Sequence, residues 1–322
     1  MGFKKLLRII INKLLNSSDL SISINKLRNN SDDFSRKLDA LTDDVTDHVY
    51  GYVDKGTQIL LALKYRQLQE RGKRLSFEEV EFRNHSQNGE DGILWYIYSL
   101  VGTTNKKAVE ICAGNGKECN TANLVVNHGW HVLMVEGDKA KADFAKEYYA
   151  KHPDTYLTPP AVVNDWITAE NVNDIIKRHG FEGEIDFLSI DVDGMDYWLW
   201  KAIDVAAPRA VMVEIQGVWR CTASVTVPYR PDFQCKRLQE PKDGLACYAG
   251  ASLPAFVKLA KEKGYRLIGA NIYGQNVVFM RNDVGVDVFP EIDQESVFSH
   301  YIVNYGYDRA RPLYEGLDWE EV

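Results

Sequence analysis

At 322 residues and 36.7 kDa the chain can bury one large domain with an appendage. Its 45% hydrophobic and 26% charged residues are those of an ordinary globular protein, which argues against wholesale disorder or a membrane-embedded body. The net charge of -8 argues against a nucleic-acid partner, because proteins that track phosphates cluster Lys and Arg; a small or neutral partner is expected instead. Cys112, Cys119, Cys221, Cys235 and Cys247 form no CxxC pair, so neither a zinc site nor a disulfide framework is expected. The chain reads as one from a reducing compartment such as the cytoplasm. No apolar run reaches the ~18 residues of a transmembrane helix.

In MGFKKLLRIIINKLL the apolar run is interrupted by Arg8, Asn12 and Lys13, the pattern of a basic amphipathic helix rather than of a signal-peptide core. Residues 3–15 are a candidate for peripheral membrane contact, or for packing on the protein itself or on another subunit. Residues 16–32, rich in Asn, Ser and Asp, read as a linker. Phe34, Leu38, Leu41, Val45, Tyr52 and Ile59 then follow a 4-3-4-7-7 spacing, a heptad seam with the nearby aspartates mostly off it. This predicts a helix or short coiled coil, either making a homo-oligomer or lying on the main domain. The chain is thus divided into a helical N-terminal extension at 1–75 and an α/β domain at 76–322.

From about residue 106 short apolar runs alternate with helical segments, as in a parallel sheet with crossover helices. Strands are expected at Lys107–Cys112, His131–Glu136, Thr155–Val163, Ile185–Asp191, Arg209–Ile215, Tyr265–Asn271 and Asn276–Arg281. Helices are expected at Asp91–Leu100, Thr121–Asn127, Ala140–Lys151, Ala169–His179, Tyr197–Ile203 and Leu253–Lys263. Only Ile272 to Gln275 separate the last two strands, so they form an antiparallel hairpin on an otherwise parallel sheet.

Three segments carry chemistry. In Val109-Glu110-Ile111-Cys112-Ala113-Gly114-Asn115-Gly116 an acid-bearing strand enters a small-residue turn, where Gly114 and Gly116 let the backbone approach a ligand and take positive φ. In Leu133-Met134-Val135-Glu136-Gly137-Asp138 a second strand ends in an acid. A carboxylate there accepts hydrogen bonds from ribose hydroxyls, and with Glu110 it argues for an adenosine-type ligand. The Gly-x-Gly-x-x-Gly fingerprint of pyrophosphate-binding folds fails at Cys112, Gly114 and Lys117, so a ligand without phosphates fits better. In Ile185 to Tyr197 a third strand discharges into Asp191, Asp193 and Asp196, and Glu214 closes the next strand at the same edge. Such a cluster repels itself unless a cation or proton relieves it, so a divalent metal or a raised carboxylate pKa is expected. Asp196 alone reads rather as a helix N-cap or first-turn acid.

From about Asn84 to Asp283 the chain resembles the FkbM-like S-adenosylmethionine-dependent methyltransferases of sugar and surface-glycan biosynthesis. The resemblance is carried by Ser86-Gln87-Asn88-Gly89-Glu90-Asp91, the Glu110 to Gly116 turn, Gly129-Trp130 before Glu136, Asp191-Val192-Asp193-Gly194, Pro208 leading to Glu214, Gly250-Ala251-Ser252-Leu253, Lys263-Gly264-Tyr265 and the final hairpin. It implies a class I methyltransferase, Rossmann-like seven-stranded sheet. It also implies that Glu110, Gly114, Gly116 and Glu136 line S-adenosylmethionine, that Gln87 and Glu90 close over its methionine end, and that Asp165 contacts adenine. Cys112 departs from the glycine commoner at its position.

Methyl transfer to a hydroxyl needs alignment and deprotonation of the acceptor. Asp193 is the candidate base, with Asp191 and Glu214 holding the substrate directly or through Mg²⁺. An insertion at 217–250 carries Arg220, Tyr229 and Arg230 as candidate substrate contacts, cationic and aromatic groups suited to a sugar bearing a carboxylate or phosphate. Two rivals stand: a metal-dependent nucleotide-sugar glycosyltransferase using Asp191-Val192-Asp193, which leaves Glu110 and Glu136 without a purpose, and a non-catalytic scaffold on the same fold. Residues 286–322 match no recognisable pattern.

Overall fold

A computed structural model describes residues 52–238 and 246–322. The amphipathic segment 3–15 and most of the heptad seam lie outside the described residues. Helix α1 (Lys55–Glu70) begins at Asp54, whose side chain accepts from Thr57 N, and α2 (Glu90–Val101) packs beside it. Then follow β1 (Lys107–Ile111), α3 (Ala122–His128), β2 (His131–Glu136), α4 (Lys139–Lys151), β3 (Ala161–Asn164), α5 (Val172–Arg178), β4 (Gly183–Ile190), α6 (Asp196–Ala202) and β5 (Ala206–Glu214). An excursion with short strands β6 (Val225–Thr226), β7 (Lys236–Arg237) and β8 (Cys247–Tyr248) precedes α7 (Leu253–Lys263), β9 (Tyr265–Ala270) and β10 (Asn276–Arg281). Helix α8 (Tyr301–Ala310) and β11 (Glu320–Glu321) end the chain.

The main sheet has seven strands in the order β3-β2-β1-β4-β5-β10-β9. β1 through β5 pair in parallel, whereas β10 runs antiparallel to both β5 and β9. This is the class I methyltransferase sheet expected from the sequence. The strand interiors are mostly apolar because helices cover both faces. Val109, Ile111, Leu133, Val135, Leu188 and Ile190 face the layer of α5 to α7. The alternate residues Ala108, Val132, Met134, Phe187, Ala210 and Met212 face the layer of α1 to α3. Helix ends carry the expected chemistry. Ser252 caps α7 by accepting from Ala255 N, and Gly264 ends it in the left-handed region (φ +83°).

Two expectations change. The third strand is Ala161–Asn164, not Thr155–Val163. Thr155 N and Tyr156 N instead donate to the His152 carbonyl, closing a turn after α4, and Pro159-Pro160 have no N–H to give a ladder. At the other end, the compact unit that holds the sheet begins at Val53, so α1 belongs with it and the boundary drawn at 75 falls inside that unit. Buried Gln58 exchanges hydrogen bonds with Asn123 and meets His128, and Tyr65 packs edge-on against Tyr96. The outer side of α1 and its approach leave Tyr52, Ile59, Leu60 and Leu63 exposed. No helix among the described residues is long and apolar enough to cross a membrane.

The unrecognised tail has a structural task. β11 pairs with β6 through Glu320–Thr226 and Glu321–Val225, and Tyr307 of α8 lies so close over Gly217 that any side chain there would collide with it. Residues from both ends of the insertion and from the tail thereby meet at the carboxyl edge of the sheet.

Candidate active site

The carboxyl ends of β1, β2 and β3 border a small cleft of about 100 Å³ lined by Cys112, Glu136, Gly137, Asp165 and Trp166 on one side. Glu136 is fixed by the two turns beside it: Oε2 accepts from Gly114 N at 2.7 Å and Oε1 from Asp138 N at 2.8 Å. A Cβ built on Gly114 (φ +57°) would meet nothing within 4 Å, so its backbone is open to an approaching ligand. Cys112 occupies φ +67°, a conformation that costs a residue with a side chain about 1–2 kcal/mol and explains why glycine suits the position. Burial, reinforced by Glu136, Asp191, Asp193 and Asp196, pushes its thiol up to about 12, so it stays protonated.

The cleft is narrow, below the roughly 300–1,000 Å³ of typical ligand pockets, because the insertion folds down onto it. Trp166 Nε1 donates to the Pro231 carbonyl at 2.8 Å, and Phe233 packs against Gly194 where no Cβ would fit. Tyr229 and Arg230 sit on this cleft and not in the larger cavity. Tyr229 donates to Glu170 and accepts from Ala169 N, while Arg230 pairs with Asp232. Both candidate substrate contacts thus lie on the small cleft, apart from the cavity that Asp193 and Glu214 line.

Next to it opens a cavity of about 990 Å³ that reaches Gln87, Asp191, Asp193 and Glu214. Carboxylate oxygens of Asp191, Asp193 and Glu214 lie within 4.8 Å of one another. Burial first, then repulsion from Asp196, Asp193 and Glu110, raises Asp191 to about 7. Burial first, then repulsion from Asp191, Asp196 and Asp193, raises Glu214 well above the carboxylate range, and it hydrogen-bonds Asp191 as the protonated partner. Asp193 stands exposed at the mouth, held at φ +52° in a loop that Asp196 shapes. Asp196 accepts from Val192 N at 2.9 Å and Gly194 N at 3.0 Å, and burial raises it to about 6. It is a first-turn helix acid that positions the loop, the simpler of its two readings.

Neither a family model nor a curated protein matches the chain. Solved structures similar to it include an S-adenosylmethionine-dependent methyltransferase from Clostridium acetobutylicum ATCC 824, at 10% identity over 69% of this chain and 97% of that one, TM-score 0.38. The CcbJ methyltransferase from Streptomyces caelestis is similar at 13% identity over 60% and 94%, TM-score 0.37. The N-terminal domain of EvdMO1 with SAH bound is similar at 15% identity over 71% and 98%, TM-score 0.39.

Several residues expected to line the ligand do something else. Glu110 is buried beneath the turn, accepting from Thr121 N at 2.8 Å, and lines neither cavity. Desolvation raises it to about 7. Glu90 is fully buried: Oε1 accepts from Asn271 and Asn276, and Oε2 from Asn88 N and Gly89 N. Burial opposes its ionisation, yet these donors hold its pKa below the usual value. Asp91 Oδ2 accepts from the amides of Asn84, His85 and Ser86. The Ser86 to Asp91 motif is thus a latch between α2 and the β9–β10 hairpin, and only Gln87 is presented to the cavity. Gly116 serves packing, since a Cβ would strike Ala145. Arg220, a candidate substrate contact, pairs with Asp308 of α8 at 2.6 Å and is not among the residues lining these two cavities. Asp165 does line the small cleft and sits 3.7 Å from Arg178. Trp166, Tyr273, Tyr305 and Arg309 also line the cavities without forming part of any sequence motif. The last three surround the large cavity from the hairpin and the tail, and no local pattern marks them.

Proposed function

We propose that this protein is an S-adenosylmethionine-dependent O-methyltransferase acting on a hydroxyl of a sugar or surface glycan, as the FkbM-like resemblance implies. The observation that carries the reading is the junction of two spaces at one sheet edge. Beside an acid-tipped cleft with an open glycine turn lies a roomy cavity holding an exposed aspartate. S-adenosylmethionine, when bound, supplies the electrophilic methyl group. Glu136 offers acceptors to the ribose hydroxyls, Asp165 and Trp166 border the base, and Gln87 faces the methionine end.

Asp193 takes the acceptor hydroxyl proton at a carboxylate oxygen as the nucleophilic oxygen advances. Asp191 and Glu214 orient the hydroxyl through the carboxyl oxygens that the hydrogen bond between them leaves free. The three carboxylates are also hard oxygen donors at a spacing a divalent cation accepts. Asp191, Asp193 and Glu214 would hold Mg²⁺ there, and its positive charge would ease ionisation of the hydroxyl. The seam residues Tyr52 and Ile59, exposed beside Leu60 and Leu63, support a homo-oligomer in which a second copy covers this side of α1.

The deciding experiment is methylation of extracted surface glycans with labelled S-adenosylmethionine, alongside calorimetric titration of S-adenosylhomocysteine. Asp193→Asn should lower turnover by about 10²–10⁴-fold and leave product affinity unchanged. Absence of S-adenosylhomocysteine binding refutes the cofactor, and full turnover in Asp193→Asn refutes the base.

A further inference from the structure

The large cavity holds charge of both signs. Besides the three carboxylates it is lined by Arg237 of β7 and Arg309 of α8. Other arginines of this region are occupied: Arg220 pairs with Asp308, and Arg230 with Asp232. Among the described residues no carboxylate pairs with Arg237 or Arg309, although three carboxylates share their cavity.

Arg309 is nonetheless held in place. Its Nη1 donates to Tyr305 Oη at 3.0 Å, and its guanidinium lies 5.4 Å from the centre of that ring. The helix beneath is pinned by the adjacent Asp308–Arg220 ion pair and by Tyr307 seated over Gly217. A guanidinium set against an aromatic face, beside a solvent-open cavity and with no ion-pair partner among the described residues, is prepared for a planar anion. Tyr305 and Tyr273, 63% and 42% exposed, add aromatic faces for the apolar side of a ring.

We propose that Arg237 and Arg309 form an anion clamp, and that the acceptor is a polyhydroxylated molecule carrying a carboxylate or phosphate. Its reacting hydroxyl sits at Asp193 while its anionic group engages the two guanidinium groups. The clamp rests on the O-methyltransferase reading for the role of Asp193, but its own evidence is a pair of cations with no ion-pair partner among the described residues, lining one cavity. It also gives the C-terminal segment a purpose. That segment supplies acceptor selectivity from outside the seven-stranded sheet, with Arg220 as a positioning residue acting through α8.

The test is calorimetric titration of the full chain, with S-adenosylhomocysteine present, using glucuronate, glucose 6-phosphate and glucose as probes. The expected result is that at least one anionic sugar binds about tenfold or more tightly than glucose, a preference that weakens with added salt. Glucuronate against glucose 6-phosphate separates a carboxylate from a phosphate. In R237Q/R309Q the preference should vanish, whereas R309K should keep part of it, and melting temperatures of the variants check folding. Equal binding of glucose and both anions, a preference that survives R237Q/R309Q, or no binding of any probe at millimolar concentration overturns the clamp. Because turnover is not measured, failure of the cofactor titration alone would refute the enzyme reading and leave the anion result standing on its own.

Discussion

Replacing Glu136 with Gln separates the structural and ligand-binding work of one carboxylate. Both oxygens now accept backbone N–H groups, from Gly114 at 2.7 Å and Asp138 at 2.8 Å. The amide has a single acceptor oxygen, so one of these donors would face an NH₂ group. Losing one charge-assisted hydrogen bond costs about 1.5–3 kcal/mol, which urea denaturation of the ligand-free protein should report as lost stability. The remaining lone pairs of the carboxylate are those offered to ribose. Two hydroxyl contacts weakened from charged to neutral acceptors amount to about 3 kcal/mol, roughly a hundredfold in Kd for S-adenosylhomocysteine by calorimetry. A Kd within about threefold of wild type, in a variant whose stability has fallen as expected, would refute the placement of ribose at Glu136.

Added MgCl₂ should raise the melting temperature of the wild-type protein, since ligand at about 100 times its Kd stabilises by roughly 2.7 kcal/mol. Asp191→Asn should abolish that shift, and a wild-type shift of zero removes the metal. Buried Asp186 accepts from Arg209 at 2.8 Å and from the amides of Thr104, Asn105 and Lys106. Burial opposes its ionisation, but Arg209 and these amides hold its pKa below the ordinary 3.8. Its contribution is therefore present above about pH 3.8 and fades as pH falls through the lower folded value. Asp186→Asn, which leaves Arg209 without its counter-charge, should cost about 3–5 kcal/mol at pH 7 and flatten the acid limb of the stability profile. Leu60→Glu with Leu63→Glu should convert an oligomer to monomer in sedimentation velocity, and a monomeric wild type would remove the oligomer reading.

The order of strands and helices was legible in the sequence because a parallel sheet covered on both faces needs mostly apolar runs, and Val132 to Val135 or Ala210 to Val213 admit few other readings. The closing hairpin was equally legible, since four residues cannot carry a parallel crossover. The acid cluster also followed from sequence, because strands ending at one edge bring Asp191 and Glu214 together whatever else surrounds them. What only the tertiary structure decided was the direction in which each acid points. Glu110 and Glu136 look alike in their motifs. Glu110, however, lies one residue before its strand ends, on the face covered by α3, and is consumed by Thr121 N. Glu136 is the last residue of its strand and reaches the cleft between two turns. Arg309 belongs to the large cavity only because α8 docks on the segment after β5, through contacts such as Tyr307 on Gly217 that no local pattern encodes. Periodicity fixes which residues share a strand or helix; packing between segments far apart in the chain fixes which side chains share a cavity.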